Sequence, residues 1–262
     1  MLLALLLLAG AADWTPARWP SGDAKSLELL RETPVNCLLL EPAHWSVEFA
    51  AAARAKQIAT LGVVRPGAGG AEAATQAARC GLDGLVLEGD FDEDAARAIR
   101  EAAGKLILIE LPPRGAMRFD GVPVSGTFQG LWPGIHVDAG GAAKAAPTGA
   151  PWIDTNFGFL SFVRALSAAP VWIGNLPPEK TVLPAERYAA AIADAAMAGA
   201  RWIVALDSDF SRRLLEGEAE ALRGWRRIGQ VLRFYEENKE WREFRPHGRL
   251  AMVMDTGSGA LA

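Results

Sequence analysis

The 262-residue sequence predicts an α/β protein folded as a single (β/α)8 barrel, a TIM-barrel architecture, and three observations carry that reading. Aliphatic runs recur along the chain and end on carboxylates: CLLLE (Cys37 to Glu41), GLVLEGD (Gly84 to Asp90), KLILIELPPR (Lys105 to Arg114) and WIVALDSD (Trp202 to Asp209). Consecutive apolar residues mark strands buried on both faces, as in parallel sheets covered by helices. Most of the runs are separated by Ala-rich stretches of helical period with short connections, so right-handed crossovers follow.

Taken in order, residues 1–12 read as a leader: seven aliphatic residues follow Met1, and small residues at Ala9 and Ala11 form an A-x-A cleavage pattern. That predicts export to a secreted or periplasmic location, with cleavage near Ala11 or Ala12. The barrel domain is assigned to 13–243. WTPARWP (Trp14 to Pro20) is read as a lead-in covering the barrel bottom. The first strand is then Val35 to Leu40, followed by a helix from Ser46 to Thr60. Strand two is Leu61 to Val64, with a helix from Ala71 to Cys80 that stops at Gly81. Strand three is Gly84 to Leu87; the helix after it opens on Asp92, Glu93 and Asp94, acids that favour a helix N-terminus. Strand four, Leu106 to Ile109, is stopped by Pro112 and Pro113.

The predicted barrel is irregular around strands five and six. Gly121 to Thr127 gives a fifth strand and Gly134 to Val137 a sixth, with only FQGLWP between them, too short for a helix. A Gly/Ala-rich loop leads to PWIDTN, where Asp154 or Thr155 can cap a helix from Phe157 to Ala168. Strand seven is Val171 to Gly174. Pro184 begins a helix through Ala198, stopped by Gly199. Strand eight is Trp202 to Leu206, and a long helix runs from Glu218 to Glu240. Residues 244–262 begin a further apolar strand (LAMVM), read as the start of a truncated C-terminal domain or as a tail strand on the barrel's flank.

Composition narrows the partners. Hydrophobic residues make up 50% of the chain, enough for a large core, while a net charge of −4 gives no sign of a nucleic-acid partner. The leader's apolar run is too short to span a bilayer, so no transmembrane segment is expected. Two cysteines, Cys37 and Cys80, read as core residues rather than a disulfide framework, with a single bridge between them as the alternative in an oxidising compartment. The absence of CxxC, HExxH and His-x-His gives no metal signature, and no cofactor is expected.

In parallel α/β sheets ligands bind at the carboxyl ends of the strands. That rule collects Glu41, His44, Arg65, Glu88, Asp90, Glu110, Arg114, His136, Asp138, Asn175, Asp207 and Asp209 on one face. Carboxylates sharing a cleft can be driven to different pKa values, one neutral and one ionised, as glycoside hydrolysis requires. Glu110 and Asp138 are the leading catalytic pair, with Glu88 the competing acid. Expected substrate contacts are Glu41, His44, Arg65, Asp90, Trp132, His136, Trp152, Asp154, Asn156, Asn175 and Asp207. Trp45, Trp132 and Trp152 are candidates to stack on a sugar, or equally to cover the core. Two function classes stay open: a carbohydrate-acting hydrolase, and a non-catalytic carbohydrate-binding or scaffold barrel.

The carboxylate-ended strands, together with GLWPGIH (Gly130 to His136), PWIDTN (Pro151 to Asn156) and VWIGNLPPEK (Val171 to Lys180), resemble secreted bacterial glycoside-hydrolase-like TIM-barrel proteins, over roughly Val35 to Glu243. The resemblance implies a carbohydrate ligand at the C-terminal face. It departs from the large retaining families of this fold, whose acid and nucleophile follow strands four and seven, because strand seven here ends in Gly174-Asn175.

Overall fold

The computed structural model describes residues 10–67, 69–137, 143–145 and 155–244, with backbone alone for 135–137 and 143–145. Eight parallel strands close a barrel. Five form one sheet in chain order: β1 (Pro16–Trp19), β2 (Cys37–Leu40), β3 (Ala59–Val64), β4 (Gly84–Glu88) and β5 (Ile107–Leu111). The other three are β6 (Ser125–Thr127), β9 (Val171–Ile173) and β10 (Arg201–Trp202), with β9 in the centre. Beside the barrel, β7 (Ile135–Val137) and β8 (Ala143–Ala145) make a separate antiparallel pair.

The seam between β10 and β1 is closed by backbone. Arg18 N–H donates to Val204 O at 2.7 Å, and Val204 N–H donates to Pro16 O at 3.2 Å. The seam between β5 and β6 carries no strand ladder, because Pro112 has no N–H to continue one. Side chains close it instead. Thr127 donates its hydroxyl to Pro112 O at 2.7 Å. Gly126 lets β6 approach closely, since a Cβ there would sit 2.4 Å from Leu111 Cδ2.

The strand count is eight, as expected, but two assignments change. WTPARWP supplies β1 rather than a covering segment, and GIHV lies outside the barrel in β7. With β1 in place the ring closes through β6, β9 and β10, and three residues of GIHV are not needed in it. The first helix is also shorter than expected: α1 spans Val47–Ala55, and Ala59 and Thr60 belong to β3.

Three of the seven described α-helices start at a side-chain cap. Helix α2 is Gly70–Arg79, α3 Glu93–Ala103, α4 Phe157–Leu166, α5 Ala185–Met197, α6 Ser208–Leu215 and α7 Ala219–Glu237. The side chains of Ser46, Asp92 and Asp207 accept the N–H groups of Phe49, Ala95 and Phe210, a kind of cap that contributes about 0.5–2 kcal/mol. Among the described residues no helix is long and apolar enough to cross a membrane.

Alternation along the strands sorts side chains into two cores. Cys37, Leu39, Leu61, Val63, Val86, Ile107, Ile109, Leu111, Trp172 and Ile203 fill the barrel interior, and Ala11 and Trp14 join them from its N-terminal end. The intervening residues, such as Leu38, Leu40, Leu85 and Leu87, face the helices. Trp14 and Trp172 meet with ring centroids 6.4 Å apart. Residues 1–9 of the expected leader and the LAMVM segment lie outside the described residues.

Candidate functional site

At the carboxyl ends of β1 to β4 the inward-facing positions stop being apolar. Arg18 alternates with Ala17 and Trp19, which pack on the helix side, and so projects to the interior. Glu41 and Arg65 are the first residues past β2 and β3, and Glu88 is the last of β4. These four side chains form one ion cluster. Arg65 clasps Glu41 with two bonds, Nη1 to Oε2 at 2.7 Å and Nη2 to Oε1 at 2.8 Å, and donates Nε–H to Glu88 Oε1 at 3.1 Å. Arg18 Nη2 donates to the other oxygen of Glu88, and its Nη1 lies 3.7 Å from Glu41 Oε1.

Burial divides the cluster in two. The Arg18 and Glu88 side chains are 13% and 7% exposed, whereas Glu41 and Arg65 are 41% and 43% exposed. The inner pair is an anchor and the outer pair faces solvent. Hydrogen bonding from Arg65 holds the Glu41 carboxyl below the usual carboxylate range, and Glu41 in turn raises Arg65. Burial, with Arg65 beside it, pushes Arg18 down to about 10, so it remains a cation at neutral pH. Its Nη1 is buried with no hydrogen-bond partner, an unspent donor inside the cluster.

Of the expected site residues, the structure brings Glu41, Arg65 and Glu88 together and adds Arg18. His44 ends the one-turn 3-10 helix Pro42–His44 next to Glu41, with Nδ1 buried and unpartnered. Asp90 stands exposed beyond Gly89.

Glu110 is not at the mouth. Ile109 and Leu111 point inward, so Glu110 points outward, where Arg100 of α3 donates to it at 2.9 Å and Arg118 lies at 3.6 Å. Its proposed partner Asp138, and Trp152 and Asp154, lie outside the described residues, as does the side chain of His136. The remaining expected ligand contacts serve the fold. Asp207 accepts from Leu183 N, Tyr188 Oη and Phe210 N, leaving a buried carboxylate fully occupied. Asn156 is buried between Leu131 and Asp194, bonded to the backbone of the first and the carboxylate of the second. Asn175 ties down Gly130 O at 2.9 Å.

Nor do Trp45 and Trp132 offer stacking faces. Trp132 is buried edge-on to Tyr188 and Trp202, at centroid distances of 5.5 and 5.1 Å, with its N–H donated to Leu176 O. Trp45 is buried over Gly62, whose missing Cβ would lie 2.6 Å from the indole. Arg114 is also structural: it donates to Gln129 O at 2.8 Å and its guanidinium lies 4.4 Å from the Phe159 ring centroid.

Arg18 was missed because β1 has only four residues and carries a charge inside the run. The available signal was WTPARWP itself, two indoles and an alternating polar residue bounded by prolines.

Fold and site define an α/β barrel protein with a charged, self-paired mouth. Among the described residues no group of three or more His, Cys, Asp or Glu is placed to hold a metal ion. No family model matches the sequence, and no curated protein matches it. Among solved structures the chain is similar to a mutant tryptophan synthase α-subunit from the hyperthermophile Pyrococcus furiosus, at 12% identity and a TM-score of 0.44, covering 86% of this chain and 98% of that one. It is also similar to the monotopic membrane protein (S)-mandelate dehydrogenase, at 12% identity and a TM-score of 0.30, covering 89% and 73%. At these identities and scores neither transfers an activity to this chain.

Proposed function

We propose that this barrel binds a carbohydrate at its C-terminal mouth, through the Arg18–Glu41–Arg65–Glu88 cluster, and acts by binding rather than by hydrolysis. The observation that supports this is the division of the cluster into a buried anchor and a half-exposed outer pair. Sugar hydroxyls both donate and accept, and a planar guanidinium beside a planar carboxylate offers both functions in fixed geometry. The anchor keeps Glu41 and Arg65 in place without a ligand, which lowers the ordering cost of binding.

Hydrolysis is less well supported by the same geometry. A glycosidase needs a carboxylic acid that holds a proton near neutral pH, usually by burial away from cations. Glu41 is shifted the other way by Arg65, and both oxygens of Glu88 are taken up by guanidinium groups. Glu110 sits outside the mouth altogether.

A glycan array probed with the full chain tests the proposal. Captured glycans should lose at least about tenfold in affinity with Glu41→Gln or Arg65→Ala, about 1.4 kcal/mol, with little change in melting temperature. An array that captures nothing, or capture that survives both substitutions, refutes it. Turnover of aryl glycosides that disappears in Glu88→Gln would replace it with the hydrolase reading.

A further inference from the structure

At the opposite pole the structure holds an open groove of ≈ 1930 Å³ between α4, the end of α5 and the chain after α7. Small-molecule sites are typically about 300–1,000 Å³, so this space is on the scale of a polypeptide segment. Five of its lining residues are large apolar side chains left in solvent: Phe157, Leu166, Met197, Trp241 and Phe244. Met197 is 71% exposed and Phe244 64%. Such side chains scattered singly need no explanation, but a contiguous set marks a contact surface.

The charged groups in the groove are largely committed to one another. Arg201 and Arg242 both bind Glu236, at 3.0 and 2.6 Å, and Lys239 binds Asp13 at 2.8 Å. What the groove chiefly offers an occupant is therefore apolar area.

We propose that the groove seats the apolar segment Leu250–Met254 of this same chain. Phe244, the last described residue, itself lines the groove, and five residues separate it from Leu250. The six steps from Phe244 to Leu250 reach at most ~20 Å, which keeps LAMVM within reach of the groove. The segment carries no charge between Arg249 and Asp255, matching the exposed apolar side chains that line the groove. Docking within the chain also costs less entropy than recruiting a separate molecule, because the tether supplies a high effective concentration.

The test places p-benzoylphenylalanine at position 197 of the full chain, followed by irradiation and peptide mapping. Intramolecular adducts to residues 245–262 are expected. Adducts to residues 1–9 would assign the groove to the N-terminal segment, adducts between molecules to a second copy, and no adduct to neither; each overturns the proposal. In parallel, Val253→Asp should raise binding of an apolar dye several-fold. Unchanged dye binding in that variant also counts against it.

Discussion

At its floor the barrel interior is closed by Ala11, Trp14 and Trp172, all buried, whereas at its mouth the same interior ends in Arg18, Glu41, Arg65 and Glu88. Both ends are filled, but by different physics. The floor is held by apolar area and close packing, which have no direction and no dependence on a partner's charge. The mouth is held by oriented ion pairs, each of which is favourable only while its partner is present. The floor therefore contributes stability alone. The mouth uses part of its interaction energy to keep charged groups in a fixed array.

The largest effect should come from the floor. Trp172 is fully buried, and Trp172→Ala should destabilise the protein by about 3–5 kcal/mol, read by denaturant unfolding. A loss under about 1 kcal/mol would mean that the floor is not a packed core.

Next comes the inner pair of the mouth. Glu88→Ala leaves the buried Arg18 guanidinium without its carboxylate and should cost about 3 kcal/mol. Replacing both, Arg18→Met with Glu88→Leu, should recover most of that loss while abolishing any glycan capture. A double variant as unstable as the single one would show that the pair is not the unit argued for.

The smallest effect belongs to Glu110, which lies on the outer side of β5. Its partners Arg100 and Arg118 are 42% and 57% exposed, so Glu110→Ala should cost no more than about 1 kcal/mol and leave any glycan capture unchanged. Loss of binding without loss of stability would return Glu110 to the site.

Sequence alone carried the barrel because its signals are local. Cys37–Leu40, residues 85–87 and residues 107–109 are apolar on successive residues, and the helices between them carry their own caps in Ser46 and Asp92. Glu41, Arg65 and Glu88 were legible as strand-end residues for the same reason. Which way a strand-end side chain points was not. Glu88 and Glu110 both close apolar runs, yet one faces the interior and the other a helix, and a single residue of register decides between them. The fourth member of the cluster was hidden further. Arg18 lies in a four-residue strand whose other neighbour is Val204, some 186 positions later in the sequence and brought alongside only when the ring closes. That closure is a non-local event, so tertiary structure alone determined which eight strands form the ring and which charges meet at its mouth.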